Sequence, residues 1–245
     1  MKNKTIKICS ISFLLIGISL FLGLQWLSNQ SYPVQEEAAP LIRVNQAKIE
    51  DDYVYFAAKE KGPTLLLTPG AFVPAEAYAA IGAGLAEKGI NTYIIQSPYN
   101  LPILDGKAID KLIQQKKIDT NTLYLAGHSM GGVMAARGAK KLSQDGKTPA
   151  GLIFLASYPD QETDLAKSNL PVLSITASQD LVLNWQNYYT AKSRLPEATS
   201  YFQIQGGNHS GFALYGPQKH DGMATISKNQ QAQEIVNQIN NFINR

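Results

Sequence analysis

Residues 123–135 read LYLAGHSMGGVMA, and this segment carries the strongest structural signal in the chain. Its first four residues are apolar, as in a buried parallel strand, and residues 133–137 have the composition of a helix. Between them the pattern G-x-S-x-G runs from Gly127 to Gly131, and its glycines permit a sharp turn from strand to helix. Such a turn holds the Ser129 hydroxyl above the edge of the sheet. The sequence therefore predicts a nucleophilic serine, and a Gly-rich turn that only packs tightly is the alternative.

Strand and helix patterns alternate on both sides of this turn. Strand patterns occur at 53–58, 64–68, 91–96, 123–126, 151–156, 171–177 and 199–204, and helix patterns at 75–88, 109–117, 133–142, 184–193 and 227–243. This alternation predicts an α/β fold with a doubly wound, mostly parallel sheet and helices on both faces. The length of 245 residues suits one such domain with an appendage.

The appendage is predicted at residues 1–27. Three lysines within the first seven residues precede an uncharged stretch from Ile8 to Leu27, which could cross roughly 30 Å of hydrocarbon as a helix. Basic residues ahead of a span favour a single-pass anchor in the cell membrane with the rest of the chain outside. Cleavage as a signal peptide, followed by secretion, is the alternative. Polar residues 28–40 are predicted to form a linker, and residues 41–245 the domain.

Charge and cysteine content exclude several classes of function. Three of the 22 Lys and Arg residues precede the predicted span, and the rest of the chain balances its 19 Asp and Glu residues. The net charge of +3 is therefore an effect of the N-terminal segment and gives no support for nucleic-acid binding. Cys9 is the single cysteine, so the chain can form neither an internal disulfide nor a cysteine metal cluster. We expect no metal and no cofactor.

A serine nucleophile needs a base that takes its proton and an acid that orients this base. In parallel sheets such groups come from loops at the carboxyl ends of the strands. His209 follows the last predicted strand by a short Gly-rich turn, and we predict that it is the base. His128 lies inside the sharp turn itself, and His220 is more typical of a surface loop.

Two aspartates are candidates for the acid. Asp180 and Asp160 each follow a predicted strand, and each lies between Ser129 and His209 in the chain. We prefer Asp180, which comes three residues after the strand that ends at Ala177. For either aspartate, a role in a turn or at a helix N-terminus is the alternative.

Two backbone N–H groups are predicted to bind the oxygen that becomes negatively charged during attack on an acyl group. The Met130 N–H opens the helix that follows the sharp turn. The second donor is expected in the loop after the strand 64–68, where Gly70 lets the chain turn and Ala71 is the best candidate. Phe72 is an alternative donor, or a wall of the pocket.

Five stretches together resemble the α/β-hydrolase superfamily, and more narrowly its dienelactone-hydrolase-like (carboxymethylenebutenolidase-like) branch. They are TPGAFVPAEAY (68–78), LAGHSMGG (125–132), GLIFLASYP (151–159), SQD (178–180) and GGNHSGFALYGPQ (206–218). They span nearly all of residues 60–245, and the last stretch is much more specific to this branch than the others. The resemblance implies an α/β-hydrolase fold and the roles of nucleophile, acid and base for Ser129, Asp180 and His209. Dienelactone hydrolases themselves use a cysteine nucleophile. Because Cys9 lies in the predicted anchor, the resemblance implies serine chemistry and does not extend to the dienelactone substrate.

These patterns predict a serine hydrolase that cleaves carboxylic esters of small molecules through an acyl-enzyme on Ser129. The short segment 157–170 between two predicted strands leaves no room for a large cap domain, so the site is expected to be open. An acyltransferase with the same three side chains and a non-catalytic binding module at the cell envelope are the alternatives. The patterns make no prediction of oligomeric state.

Overall fold

The computed structural model describes residue 19 and residues 21–245. Residues Tyr32–Arg245 form one compact unit, which is separate from the unit that ends at Ser31. Most of the span predicted from Ile8 to Leu27 lies outside the described residues. Within the described ones, residues 21–28 are helical, and no helix is both long enough and apolar enough to cross a membrane.

Strands and helices alternate through the described chain. The strands are β1 (Lys48–Glu50), β2 (Tyr53–Phe56), β3 (Thr64–Thr68), β4 (Asn91–Ile95), β5 (Leu123–His128), β6 (Gly151–Leu155), β7 (Val172–Ala177) and β8 (Ser200–Ile204). The α-helices from residue 32 onwards are α1 (Ala38–Val44), α2 (Ala79–Glu87), α3 (Ala108–Lys116), α4 (Met130–Gln144), α5 (Trp185–Ala191) and α6 (Lys228–Ile243). Every strand and helix that the sequence patterns predict is present, with a 3₁₀ turn at Ala75–Tyr78 ahead of α2. The patterns do not predict α1 and β1, which are too short to show a period.

The strands of the described chain form one sheet in the order β1-β2-β4-β3-β5-β6-β7-β8. Strand β2 runs antiparallel to both of its neighbours, and all pairs from β4 to β8 are parallel. The described residues 156–171, which join β6 to β7, contain no helix. The predicted α/β fold, with a mostly parallel sheet and without a large cap domain, is therefore confirmed.

Apolar side chains cover both faces of the sheet. Leu65 and Leu67 of β3 belong to one core, together with residues of α2 and α6. Leu66, which lies between them, belongs to a second core with residues of α3 and α4. Because side chains alternate across a strand, a strand that is apolar at every position can supply both cores.

The parallel register sets the position of the functional loops. Thr68 at the end of β3 pairs with Gly127 of β5, and Ala177 at the end of β7 pairs with Ile204 of β8. The loops that follow these strands therefore leave from the same edge of the sheet, which is the edge where open α/β sheets bind ligands.

The start of the compact unit is attached to two of these loops. The Tyr32 N–H donates to the Phe72 carbonyl at 2.9 Å, and the Gln35 N–H donates to the Leu214 carbonyl at 3.0 Å. These residues lie within the segment 28–40 that the sequence predicts to be a linker. Such main-chain contacts join residues far apart in the chain, and they leave no local pattern in the sequence.

Candidate active site

Ser129 alone connects strand β5 to helix α4. Its backbone adopts φ 51° and ψ −121°, a strained conformation for a residue with a side chain. Neighbouring groups hold this conformation: the Ser129 N–H donates to the Leu155 carbonyl at 3.0 Å, and the Ser157 hydroxyl donates to the Ser129 carbonyl at 2.6 Å. The Ser129 side chain makes no capping hydrogen bond to α4, which is the usual role of a serine before a helix.

Two glycines make this turn possible. A Cβ atom on Gly127 would overlap the backbone of Gly131, and a Cβ atom on Gly131 would overlap the carbonyls of Thr68 and Pro69. The first turn of α4 therefore packs directly on the backbone that follows β3. This close approach places the N-terminus of α4 beside the loop at residues 69–72.

Asp180 and His209 form a buried pair. The His209 Nδ1 and an Asp180 carboxylate oxygen lie 2.8 Å apart, and each residue is no more than 2% exposed. The other Asp180 oxygen accepts from the N–H groups of Val182 and Leu183 at 2.9 and 2.8 Å. When the carboxylate accepts the Nδ1 proton, the Nε2 atom of a neutral His209 carries none and can accept a proton.

Ser129 and His209 line one cavity of about 190 Å³. The structure therefore brings together Ser129, Asp180 and His209, which the sequence predicts as nucleophile, acid and base. The two competing candidates lie elsewhere. His220 is exposed, and the Asp160 carboxylate accepts from Arg137 Nε at 2.7 Å. Burial acts to raise the pKa of Asp160, but hydrogen bonds from Thr163 and Arg137 hold it below its usual value.

The two predicted oxyanion donors lie at the two elements that meet at Gly131. Met130 is the first residue of α4, where a backbone N–H has no acceptor within the helix and the helix dipole is positive. The Ala71 N–H makes no hydrogen bond with the part of the chain that the structure describes. The Phe72 N–H, the alternative oxyanion donor, already donates to the Asn100 carbonyl at 2.6 Å.

Tyr78 supports this loop, a role that the sequence does not indicate. Its hydroxyl is fully buried, accepts from the Gly70 N–H at 2.8 Å and lies 2.8 Å from His128 Nδ1. The Tyr78 hydroxyl therefore links the backbone of this loop to the His128 ring. Burial, together with the positive charge that His209 can carry, lowers the pKa of His128 well below its usual value. In the sequence Tyr78 looks like one more apolar residue of the predicted helix 75–88.

Two further side chains hold the backbone around His209. The Asp221 carboxylate accepts from the N–H groups of His209 and Ser210 at 3.2 and 2.7 Å. The buried Gln231 side chain accepts from the Asn208 N–H at 3.1 Å and donates to the Asn208 carbonyl at 2.8 Å. Sequence reasoning missed both residues, because an aspartate in a loop and a glutamine on a helix carry no signal of such contacts.

Lys228 closes the same loop from the first turn of α6. Its ammonium group donates to three backbone carbonyls, at distances from 2.6 to 3.2 Å, those of Ser210, Ala213 and Tyr215. Burial lowers the pKa of Lys228 to about 8, although the Asp221 and Glu37 carboxylates act in the opposite direction. The loop that carries His209 is therefore held by both the carboxylate of Asp221 and the ammonium group of Lys228.

The sheet has this strand order, a strained serine between β5 and the following helix, and a histidine–aspartate pair after the last strands. Together these features define the architecture of an α/β hydrolase. Residues 64–233 match the alpha/beta hydrolase family, and the chain belongs to this family. No curated protein shows significant sequence similarity to it.

Several solved structures have a similar fold. A predicted CIB-like hydrolase from Thermoplasma acidophilum is 13% identical with a TM-score of 0.58, over 80% of this chain and 99% of that one. A hyperthermophilic esterase from the archaeon Pyrobaculum calidifontis is 15% identical with a TM-score of 0.57, over 85% and 90% of the two chains. An ester hydrolase from the metagenome of Lake Arreo, solved with a derivative of bipyridine phosphonate, is 17% identical with a TM-score of 0.54, over 78% and 76%. At these identities the similarity shows the shared fold.

Proposed function

We propose that this α/β hydrolase is a serine hydrolase that cleaves carboxylic esters of small molecules. The observation that carries the proposal is the buried pair of Asp180 and His209 in contact at 2.8 Å, with His209 lining the same cavity as the strained Ser129. The esterases among the structural neighbours support the choice of an ester substrate. The stretch GGNHSGFALYGPQ at 206–218 supports a place in the dienelactone-hydrolase-like branch.

In the first half of the reaction the Ser129 hydroxyl attacks the ester carbonyl, and His209 Nε2 takes the hydroxyl proton. The Asp180 carboxylate keeps the imidazole oriented and stabilises its positive charge. The Met130 and Ala71 N–H groups bind the oxygen on which negative charge develops. Collapse of the tetrahedral intermediate breaks the bond to the alcohol, which leaves with the proton from His209.

In the second half a water molecule attacks the acyl group on Ser129. His209 accepts a proton from this water and returns it to the serine oxygen as the acid product leaves. The enzyme is thereby restored without a change in oxidation state and without any co-reactant besides water. An alcohol or amine in place of water would give acyl transfer through the same acyl-enzyme.

Covalent labelling tests the nucleophile. A fluorophosphonate probe should modify the wild-type protein, and Ser129→Ala should abolish the labelling and lower ester turnover by roughly a thousandfold or more. Ser143→Ala is the control, because this exposed serine lies at the other end of α4. Undiminished labelling of Ser129→Ala would show another nucleophile, and an unlabelled wild-type protein would favour a non-catalytic binding module.

A second comparison tests the acid. Asp180→Asn removes the charge that stabilises protonated His209, so we expect kcat to fall by roughly 10³-fold or more. Asp160→Asn weakens the contacts with Arg137 and Thr163, away from the cavity, and should leave kcat within about twofold. If Asp160→Asn were the more damaging change in steady-state assays, the acid would have to be reassigned.

A further inference from the structure

The cavity beside Ser129 is small. Its volume of about 190 Å³ lies below the range of roughly 300–1,000 Å³ that is usual for sites of drug-sized ligands. The reacting ester group takes up part of this space. The cavity therefore favours a short acyl chain.

The walls of the cavity are neutral and mostly apolar. Val133 of α4, Tyr158 after β6, and Val182 and Leu183 after β7 contribute apolar surface. Among the described residues that line the cavity there is no Lys and no Arg. The nearby Arg137 guanidinium is engaged by the carboxylates of Asp160 and Glu162. A carboxylate on the acyl chain would therefore be desolvated here without a cationic partner, which is strongly unfavourable.

The same contacts that orient the acid fix one wall of the cavity. Because an Asp180 oxygen accepts from the N–H groups of Val182 and Leu183, these two residues cannot withdraw without loss of the hydrogen bonds that hold the acid. Leu183 is also only 6% exposed. An acyl chain that is too long for the cavity therefore cannot widen it at this wall.

A second wall is fixed as well. The Ser157 hydroxyl donates to the Ser129 carbonyl, which ties the residues after β6 to the nucleophile. The adjacent Tyr158 ring packs edge-on against Tyr188, and the Tyr188 hydroxyl is hydrogen-bonded to Ser174 at 3.0 Å. Two of the walls that line the cavity are thus held in place.

We propose that the site is specific for esters of short, uncharged acyl groups such as acetyl and butyryl, and that it rejects acyl groups that carry a carboxylate. The proposal rests on the proposed function, since it names the substrate class of the same site.

The first experiment compares 4-nitrophenyl acetate, butyrate, hexanoate and decanoate with the wild-type protein, and active sites are counted by fluorophosphonate labelling. We expect kcat/KM per labelled site to be highest for acetate or butyrate and to fall at least about tenfold at hexanoate and further at decanoate. A labelled enzyme whose kcat/KM stays level or rises toward decanoate would overturn the proposed chain length while leaving the serine hydrolase intact. A protein that is neither labelled nor active on any of the four esters would overturn both.

The second experiment isolates charge from length. The 4-nitrophenyl monoester of succinic acid and 4-nitrophenyl pentanoate have acyl chains of similar length, and only the former carries a carboxylate at neutral pH. We expect the succinate ester to be hydrolysed at least about a hundredfold more slowly per labelled site. Equal or faster hydrolysis of the succinate ester would contradict a neutral pocket.

A pocket variant tests whether the wall sets the length. Val133→Ala removes two methyl groups from the wall, and alanine is favourable in a helix. We expect the ratio of kcat/KM for hexanoate to that for acetate to rise at least about tenfold. Val44→Ala, at a residue that is 80% exposed on α1, should leave the ratio unchanged. An unchanged ratio in a folded, labelled Val133→Ala protein would contradict the assignment of this wall.

Discussion

Two regions that lie side by side at the site are built on different principles. The elbow, residues 127–132, is held by steric contact, since side chains at Gly127 and Gly131 would overlap backbone atoms. The histidine loop, residues 205–222, is held by polar side chains, among them Asp221 and the buried Gln231. Backbone overlap cannot relax, whereas a hydrogen bond can be lost without collapse of the loop. Substitutions in the elbow should therefore cause large losses of stability, and substitutions in the histidine loop should cause smaller, graded losses.

The largest effect is expected at the side chain that the histidine loop delivers. His209→Ala removes the group that takes the serine proton, so kcat/KM should fall by roughly a thousandfold or more, about 4 kcal/mol of transition-state stabilisation. His220→Ala, at an exposed position of the same loop, should retain most of the activity in the same ester assay. Full activity in His209→Ala together with loss in His220→Ala would reverse the assignment of the base.

The elbow is tested with two glycines of one helix. In Gly131→Ala the new methyl group meets the carbonyls of Thr68 and Pro69, so we expect a loss of about 3 kcal/mol or more in the free energy of unfolding. In Gly138→Ala the new methyl group lies 2.7 Å from the end of the flexible Ile109 side chain, which can move. The helix propensity of alanine offsets this contact, and stability should change by no more than about 1 kcal/mol. Denaturant unfolding of both variants measures the two losses of stability. Equal losses in Gly131→Ala and Gly138→Ala would mean that the elbow is not sterically fixed.

A smaller effect is expected where the histidine loop is braced. Asp221→Ala leaves the His209 and Ser210 N–H groups without their acceptor, at a cost of about 1–3 kcal/mol in unfolding free energy. Since the His209 backbone loses its support, kcat should fall about tenfold while KM changes little. Asp164→Ala removes a similar contact, to the Ala166 N–H, in an exposed loop and should have no effect on kcat. A loss of stability in Asp221→Ala without any change in kcat would reduce Asp221 to a purely structural role.

The smallest effect at neutral pH concerns His128, the neutral histidine of the elbow. Burial lowers its folded-state pKa well below 6.5, so the unfolded chain binds more protons than the folded one as the pH falls below 6.5. The free energy of unfolding should therefore decrease on acidification, by up to about 1.4 kcal/mol for each pH unit below 6.5 until the folded-state pKa is reached.

His128→Gln keeps a polar side chain that does not titrate, so its unfolding free energy should decline less between pH 7 and pH 5 than that of the wild-type protein. Denaturant titrations of the two proteins at several pH values measure the difference. Parallel pH profiles would show that His128 does not contribute to acid sensitivity.

Much of the fold could be predicted because its signals are local. The apolar run of Leu65, Leu66 and Leu67 indicates a strand buried on both faces, and the G-x-S-x-G pattern indicates the turn at Ser129. Only the start of the histidine loop could be located from the sequence, because its glycines at 206 and 207 directly follow a strand pattern. The side chains that hold the histidine loop could not be predicted. Asp221 and Gln231 are separated from His209 in the chain by a turn and part of a helix, so no local pattern links them to it.

Sequence patterns were enough to predict the order of strands and helices from β2 onwards, the sharp turn at Ser129 and the set of side chains that can carry the chemistry. These features depend on residues within a few positions of each other, where periodicity and glycine spacing are sufficient. The folded structure selected which candidates meet: Asp180 reaches His209, while Asp160 pairs with Arg137. It also set the size and charge of the cavity, because these depend on walls supplied by α4 and by three loops that come together only at the edge of the folded sheet.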